Sequence, residues 1–199
     1  MLDRTIPFFN MILKCSEYAP ESIVLPEEYR IVPYQPGFES GWAHLECAAG
    51  DFADEQEAAD YFREKYLNGS GCGDDILFLA EKTGSVIGSC IAWKDERNGE
   101  PVNSLHWLIV DEEHQGKNLG RALCMAAMDR IYNRSSAPVY IHTQPWSWKA
   151  ILLYSSLGFR LQKSESFGGY TNQYAEAMHT LRKILSQEQI RMLEERSDA

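Results

Sequence analysis

Between Val110 and Ala122 the sequence reads Val-Asp-Glu-Glu-His-Gln-Gly-Lys-Asn-Leu-Gly-Arg-Ala, an apolar strand that enters a glycine-containing turn and then a helical stripe. Several backbone N–H groups converge there with the positive end of the helix, an arrangement that suits a phosphate. Lys117 and Arg121 add cationic side chains matched to a pyrophosphate. A plain tight turn entering a helix is the alternative for such a fragment taken alone. His106 is the second chemical group. Period-2 alternation in Leu105–Val110 puts it on the face of Leu108 and Val110, a titrating imidazole in an otherwise apolar strand. A satisfied structural histidine is the competing reading. His142 closes the following strand, Tyr154 lies on an apolar helical stripe where a core aromatic is the simple explanation, and Glu46 lies on the first helix, where a solvated helix face is the simple explanation.

The elements that must position these groups follow from periodicity. Ile6–Lys14 reads as a strand or extended arm, and Tyr29–Tyr34 as a second strand. Phe38, Trp42, Leu45 and Ala49 recur at helical spacing, and Asp54 with Glu57 three residues on opens a second helix. Asn68–Gly73 is a glycine-rich loop. Ile76–Glu81 and Ser85–Trp93 form a hairpin, Lys94–Asn103 a polar loop, and Leu105–Val110 a third strand. Leu119–Ile131 is a helix ending before Pro138, and Val139–His142 a strand. Ser147 caps a helix that Gly158 stops, with Phe159–Gln162 extended beyond. Thr171–Arg196 reads as two helical pieces, the second opened by Ser186 and Gln189. The order predicts an α/β fold with a mixed, mostly antiparallel central sheet flanked by helices, an N-terminal strand-like arm and a C-terminal helical extension.

The 199 residues predict one domain, with residues 1–28 as the arm, 29–163 as the core and 164–199 as the helical tail. Nineteen basic against 29 acidic residues give a formal charge of −10, which disfavours nucleic acid and anionic membranes as partners. No run approaches the ~20 apolar residues of a membrane span. Five dispersed cysteines without CxxC or ligand spacing argue for reduced thiols and no metal site. The expected location is cytoplasmic.

Val110 followed by Gln115-Gly116-Lys117-Asn118-Leu119-Gly120 resembles the acetyl-CoA signature of the GNAT superfamily of N-acetyltransferases, V-x-x-x-x-Q/R-x-x-G-x-G/A. Ser147 to Phe159 resembles its second motif, N-x-x-A-x-x-x-Y-x-x-x-G-F, in the right order. Asn118 stands where the family has glycine and Ser147 where it often has asparagine. Asparagine tolerates positive φ better than most side chains, so the turn is expected to keep its shape.

The resemblance implies acetyl-CoA as cosubstrate and direct attack of a primary amine on the thioester in a ternary complex. Backbone groups of Leu108, Ile109 and Val110 then hold the pantetheine arm, the turn from Gln115 to Arg121 holds the pyrophosphate, and Ser147 belongs to the cofactor side. Tyr154 matches the family's general acid for the leaving thiolate. His106 corresponds to a strand histidine used as base in arylalkylamine N-acetyltransferases, a local likeness, and His142 is the second candidate. The acceptor, a small cationic amine, is placed among the first two helices, the hairpin and the last strand, with Trp42 and Trp93 as walls and Glu46 facing the amine. A non-catalytic acyl-CoA sensor and a protein N-acetyltransferase are the rival readings. The helical tail leaves homodimer formation open.

Overall fold

The computed structural model describes residues 3–68, 73–135 and 138–198. Most of the expected glycine-rich loop, Gly69 to Cys72, lies outside them. In chain order the regular elements are β1 (Met11–Cys15), β2 (Tyr29–Pro33), α1 (Phe38–Ala49), α2 (Glu55–Phe62), β3 (Ile76–Glu81), β4 (Val86–Arg97) and β5 (Glu100–Val110). They continue with α3 (Leu119–Tyr132), β6 (Val139–Thr143), α4 (Trp148–Ser156), β7 (Arg160–Gln162), α5 (Tyr174–Leu181), α6 (Gln187–Glu195) and β8 (Ser197–Asp198). The strands hydrogen-bond in the order β2-β3-β4-β5-β6-β1-β7-β8, an open sheet flanked by helices. Antiparallel ladders join β2 to β3, β3 to β4 and β1 to both β6 and β7, while β5–β6 and β7–β8 are parallel. The mixed α/β fold expected from the sequence is present.

The chain divides into two compact units. The first comprises Pro20–Trp93 and Leu105–Arg134. Its strand β3 is buried along almost its whole length, as its unbroken Ile-Leu-Phe-Leu-Ala run dictates. Trp42 and Ala43 of α1, Ala58 and Phe62 of α2, and Phe78 and Ile91 of the sheet form one core cluster. The Asp54 carboxylate accepts the Glu57 N–H at 2.8 Å and so caps α2, as its spacing predicts. Past Phe62 the helix widens into one π turn, Arg63–Leu67, which buries Tyr66 completely. Gly88 allows a close approach of β4 and β5: a Cβ there would meet the Ile109 carbonyl oxygen at 2.7 Å.

The second unit comprises Leu2–Ala19, Lys94–Ser104 and Ser135–Ala199. The expected strand or arm Ile6–Lys14 contains β1, which lies inside the sheet with Leu13 opposite both Ile141 of β6 and Leu161 of β7. One expectation is corrected here. Lys94–Asn103 is not a loop but the far end of the β4–β5 hairpin, turned at Asn98 (φ 55°) and Gly99 (φ 82°). Asn-Gly supplies the two positive φ values that a tight hairpin turn requires. The Glu165 carboxylate accepts from Tyr140 at 2.8 Å and from the Lys14 ammonium at 3.2 Å, and pairs with Arg97 at 2.6 Å. Ser186 and Gln189 close the expected capping box of α6, after which the unforeseen β8 joins β7.

Candidate active site

In the first unit, β5 leads into the glycine-containing turn through a short 3-10 turn, Glu112–His114, capped by the Asp111 carboxylate. Gln115 folds its amide back onto the Val110 carbonyl at 3.0 Å. Gly116 (φ 79°) and Asn118 (φ 60°) both adopt left-handed backbone, so asparagine does take the conformation that favours glycine. Asn118 starts α3 without a side-chain cap, which leaves donors at the helix start available to an anion. Leu108, Ile109 and Val110 are half-buried.

Both cations of the turn are held by the segment preceding and opening β2. The Lys117 ammonium donates to the Tyr29 hydroxyl at 2.7 Å, and Arg121 pairs with Glu21 at 2.9 Å. The hydrogen bond to Tyr29 holds the Lys117 ammonium above its ordinary pKa. Tyr29 Oη also lies 3.1 Å from His114 Nδ1. Tyr29 and Glu21 were not foreseen, because nothing in their local pattern links them to a turn about 90 residues away.

His106 is half-buried on β5, with Nδ1 2.8 Å from the Tyr66 hydroxyl. The Trp107 indole N–H donates to that same hydroxyl at 2.7 Å. Trp107 has φ 51°, a backbone state that costs a bulky residue on the order of 1–3 kcal/mol. The Trp93 ring packs 4.9 Å from Tyr66 and 6.3 Å from His106. Trp42, Phe52, Tyr61 and Trp107 form an aromatic cluster in which every pair of ring centroids lies within 6.3 Å. Trp42 is fully enclosed, whereas Tyr61 is 36% exposed and forms the open side. Glu46, one helical turn beyond Trp42, is 2% exposed. Burial, with the Asp51 charge second, holds its carboxyl well above the usual carboxylate range. Among the described residues no hydrogen-bond partner reaches Glu46 Oε1 or Trp42 Nε1.

A separate cavity of about 290 Å³, lined by Ile31, Val32, Leu77, Ala126 and Arg130 among others, contains none of the predicted site residues. No cluster that could hold a metal ion occurs among the described residues.

In the second unit, Tyr154 is buried on α4 at 6% exposure, its ring 5.9 Å from Phe159. Its carbonyl accepts the Phe159 N–H at 3.1 Å, and Gly158 (φ 92°) makes that reversal of the chain. His142 Nε2 lies 2.8 Å from Asn10 Oδ1, and the imidazole stacks on Tyr170 at 3.5 Å. Ser147 does not cap α4. Its hydroxyl lies 2.9 Å from the Gln144 amide, because a 3-10 turn, Pro145–Ser147, precedes the helix and gives Ser147 a non-extended backbone.

Comparison with known proteins decides the family. The model of the acetyltransferase (GNAT) family matches residues 40–159, well over half of the chain. The chain belongs to the GNAT acetyltransferase family. The matched span takes in His106, the glycine-containing turn and Tyr154. A mycothiol acetyltransferase of Thermobispora bispora is 30% identical over 153 residues, covering 71% of this chain and 48% of the relative. One from Nocardiopsis dassonvillei is 36% identical over 157 residues, covering 73% and 46%. This GNAT chain therefore spans about half the length of the curated relatives it matches. Among solved structures, a GCN5-related N-acetyltransferase from Sphaerobacter thermophilus superposes with TM-score 0.61 at 18% identity, over 77% of this chain and 48% of the other. The glucosamine-6-phosphate N-acetyltransferase of Arabidopsis thaliana gives TM-score 0.53 at 20% identity, over 72% and 99%. At that identity the two structures show the GNAT fold alone.

Proposed function

We propose that this GNAT protein transfers the acetyl group of acetyl-CoA to the amine of a small molecule. The observation that carries the reading is the turn from Gln115 to Arg121, where two left-handed residues open a helix with no side-chain cap and two cations stand by. Such a turn takes the cofactor's pyrophosphate through Gln115, Gly116, Lys117, Asn118, Leu119, Gly120 and Arg121. Leu108, Ile109 and Val110 hold the pantetheine arm, and Ser147 lies on the cofactor side.

The amine must lose a proton before it attacks, and His106 takes it. Attack at the thioester carbonyl forms the amide bond and breaks the carbon–sulfur bond, and Tyr154 protonates the departing thiolate. Tyrosine is matched to that step because its ordinary pKa of about 10 is close to that of a thiol. His142, stacked on Tyr170, is the less favoured base.

A cationic acceptor accords with Tyr61, the open side of the aromatic cluster, and with Trp93 beside His106, while the enclosed Trp42 backs that cluster and Glu46 pairs with an ammonium once it has released its proton to water. The named relatives, mycothiol acetyltransferases, accord with a small-molecule acceptor. The test is thiol release from acetyl-CoA across arylalkylamines, polyamines, aminoglycosides, amino acids and short peptides, with the protein's own thiols subtracted. Release with a small amine supports the reading. Release with peptides alone makes this a protein acetyltransferase, and tight acetyl-CoA binding with silence across the panel favours a sensor.

A further inference from the structure

We propose that Tyr66 is the positioning residue that orients His106 and fixes its proton state, an inference that rests on His106 acting as the base. His106 and Trp107 are consecutive in β5, and a regular strand sends consecutive side chains to opposite faces. The left-handed backbone of Trp107 breaks that alternation. Both residues consequently meet one phenol, Trp107 Nε1–H donating to Tyr66 Oη at 2.7 Å and His106 Nδ1 lying 2.8 Å from the same oxygen. The phenol itself comes from an irregularity, the π turn Arg63–Leu67. Two departures from regular geometry, one on each partner, thus meet at a single buried oxygen. Departures of this kind concentrate where the side chains they aim are used.

The chemistry follows from the donors. An indole N–H can only donate, so it holds the Tyr66 oxygen as an acceptor and fixes the phenol. The oxygen keeps both its own O–H and a second acceptor site toward His106 Nδ1, and a base with its lone pair on Nε2 requires the tautomer in which Nδ1–H donates to the phenol. When the substrate ammonium gives its proton to Nε2, the nitrogen keeps the electron pair that attacks the thioester. The imidazolium retains its Nδ1–H bond to the phenol and afterwards returns the Nε2 proton to water. The Trp93 ring packs against both Tyr66 and His106, and the Lys65 ammonium lies 5.9 Å from the centre of that ring.

Full-chain Tyr66→Phe, Trp107→Phe and His106→Gln, with the double variant Tyr66→Phe/His106→Gln, test this on acetyl-CoA and the best amine of the panel. Tyr66→Phe is expected to lower kcat on the order of tenfold with KM for acetyl-CoA unchanged, and to add nothing to the loss in His106→Gln. It is also expected to move the acid limb of the kcat/KM profile and the ring-nitrogen NMR signals of His106. If Tyr66→Phe leaves kcat, acid limb and nitrogen signals alone while His106→Gln loses activity, positioning by Tyr66 is overturned and the base reading stands. Full activity in His106→Gln overturns both. Should Tyr66→Phe lose its cooperative melt, Trp107→Phe decides, because it removes the donor that holds the phenol while keeping the phenol and an aromatic ring at position 107. A smaller loss of kcat with the same nitrogen shifts supports the proposal, and no change in either overturns it.

Discussion

Glu21 reaches across to Arg121 at 2.9 Å, so the carboxylate of a segment outside the family match occupies a cation of the glycine-containing turn. A pyrophosphate that uses the same Arg121 N–H group competes with it. The Glu21 side chain is 63% exposed and Arg121 30%, which puts the pair among surface ion pairs worth about 0–1 kcal/mol. Glu21→Gln is therefore expected to lower KM for acetyl-CoA by at most about fivefold at low salt, with the difference closing as salt rises. Steady-state titration of acetyl-CoA at two ionic strengths checks it. A higher KM in the variant would mean that Glu21 orients Arg121 for the cofactor rather than competing with it.

Asn118 tests the turn itself. Its φ of 60° suits asparagine and glycine, whereas alanine there meets the left-handed penalty of about 1–2 kcal/mol without a polar side chain to offset it. Asn118→Gly should keep acetyl-CoA affinity and lie within about 0.5 kcal/mol of the parent, because relief of the Cβ is offset by a looser unfolded chain. Asn118→Ala should lose about 1 kcal/mol by urea unfolding and weaken binding measured by calorimetry. Equal stability of the two variants would show that the turn carries no such requirement.

The parts of this molecule legible in the sequence are those whose signal is local. Asp54, Ser186 with Gln189, and Gly158 announced their helix ends because each cap is made within a few residues. The backbone conformation of the turn at Gly116 and Asn118 was legible for the same reason. The interior position of β1 was not, because its partners β6 and β7 are more than a hundred residues away and its apolar run reads equally well as an arm. The hairpin end at Asn98-Gly99 was hidden by the polar residues that flank it, although the dipeptide itself is a turn signal. Tyr66 left no trace either. Its role depends on a π turn and on the backbone of Trp107, and neither has a periodic signature.

Tyr154→Phe separates the acid from the core. The ring is 6% exposed and packs on Phe159, so phenylalanine preserves its packing and the chain should melt cooperatively with a loss of about 1 kcal/mol or less. A proton donor at the thiolate contributes on the order of 10²-fold or more, so kcat should fall by that much with KM for acetyl-CoA unchanged. Thiol release reads this cleanly with respect to Cys90, whose burial pushes its thiol pKa up to about 12. Full kcat in Tyr154→Phe would leave protonation of the thiolate to water.

Glu46 gives a prediction in pH. Its carboxyl is held above the ordinary 4.5 by burial and by Asp51, so the folded chain keeps a proton that the unfolded chain releases. Stability from this group is fully present below the unfolded pKa and declines as pH rises from about 4.5 towards the raised folded value. Glu46→Gln removes the titration, so its Tm should fall less than the parent's across that window, measured by calorimetry at several pH values. Parallel curves would show that Glu46 is not a buried acid. An acceptor that binds as the ammonium while Glu46 releases its proton to water replaces an unmatched oxygen with an ion pair. Saturating amine should then raise the parent's Tm more than that of Glu46→Gln, and an equal rise in both would place the ammonium elsewhere.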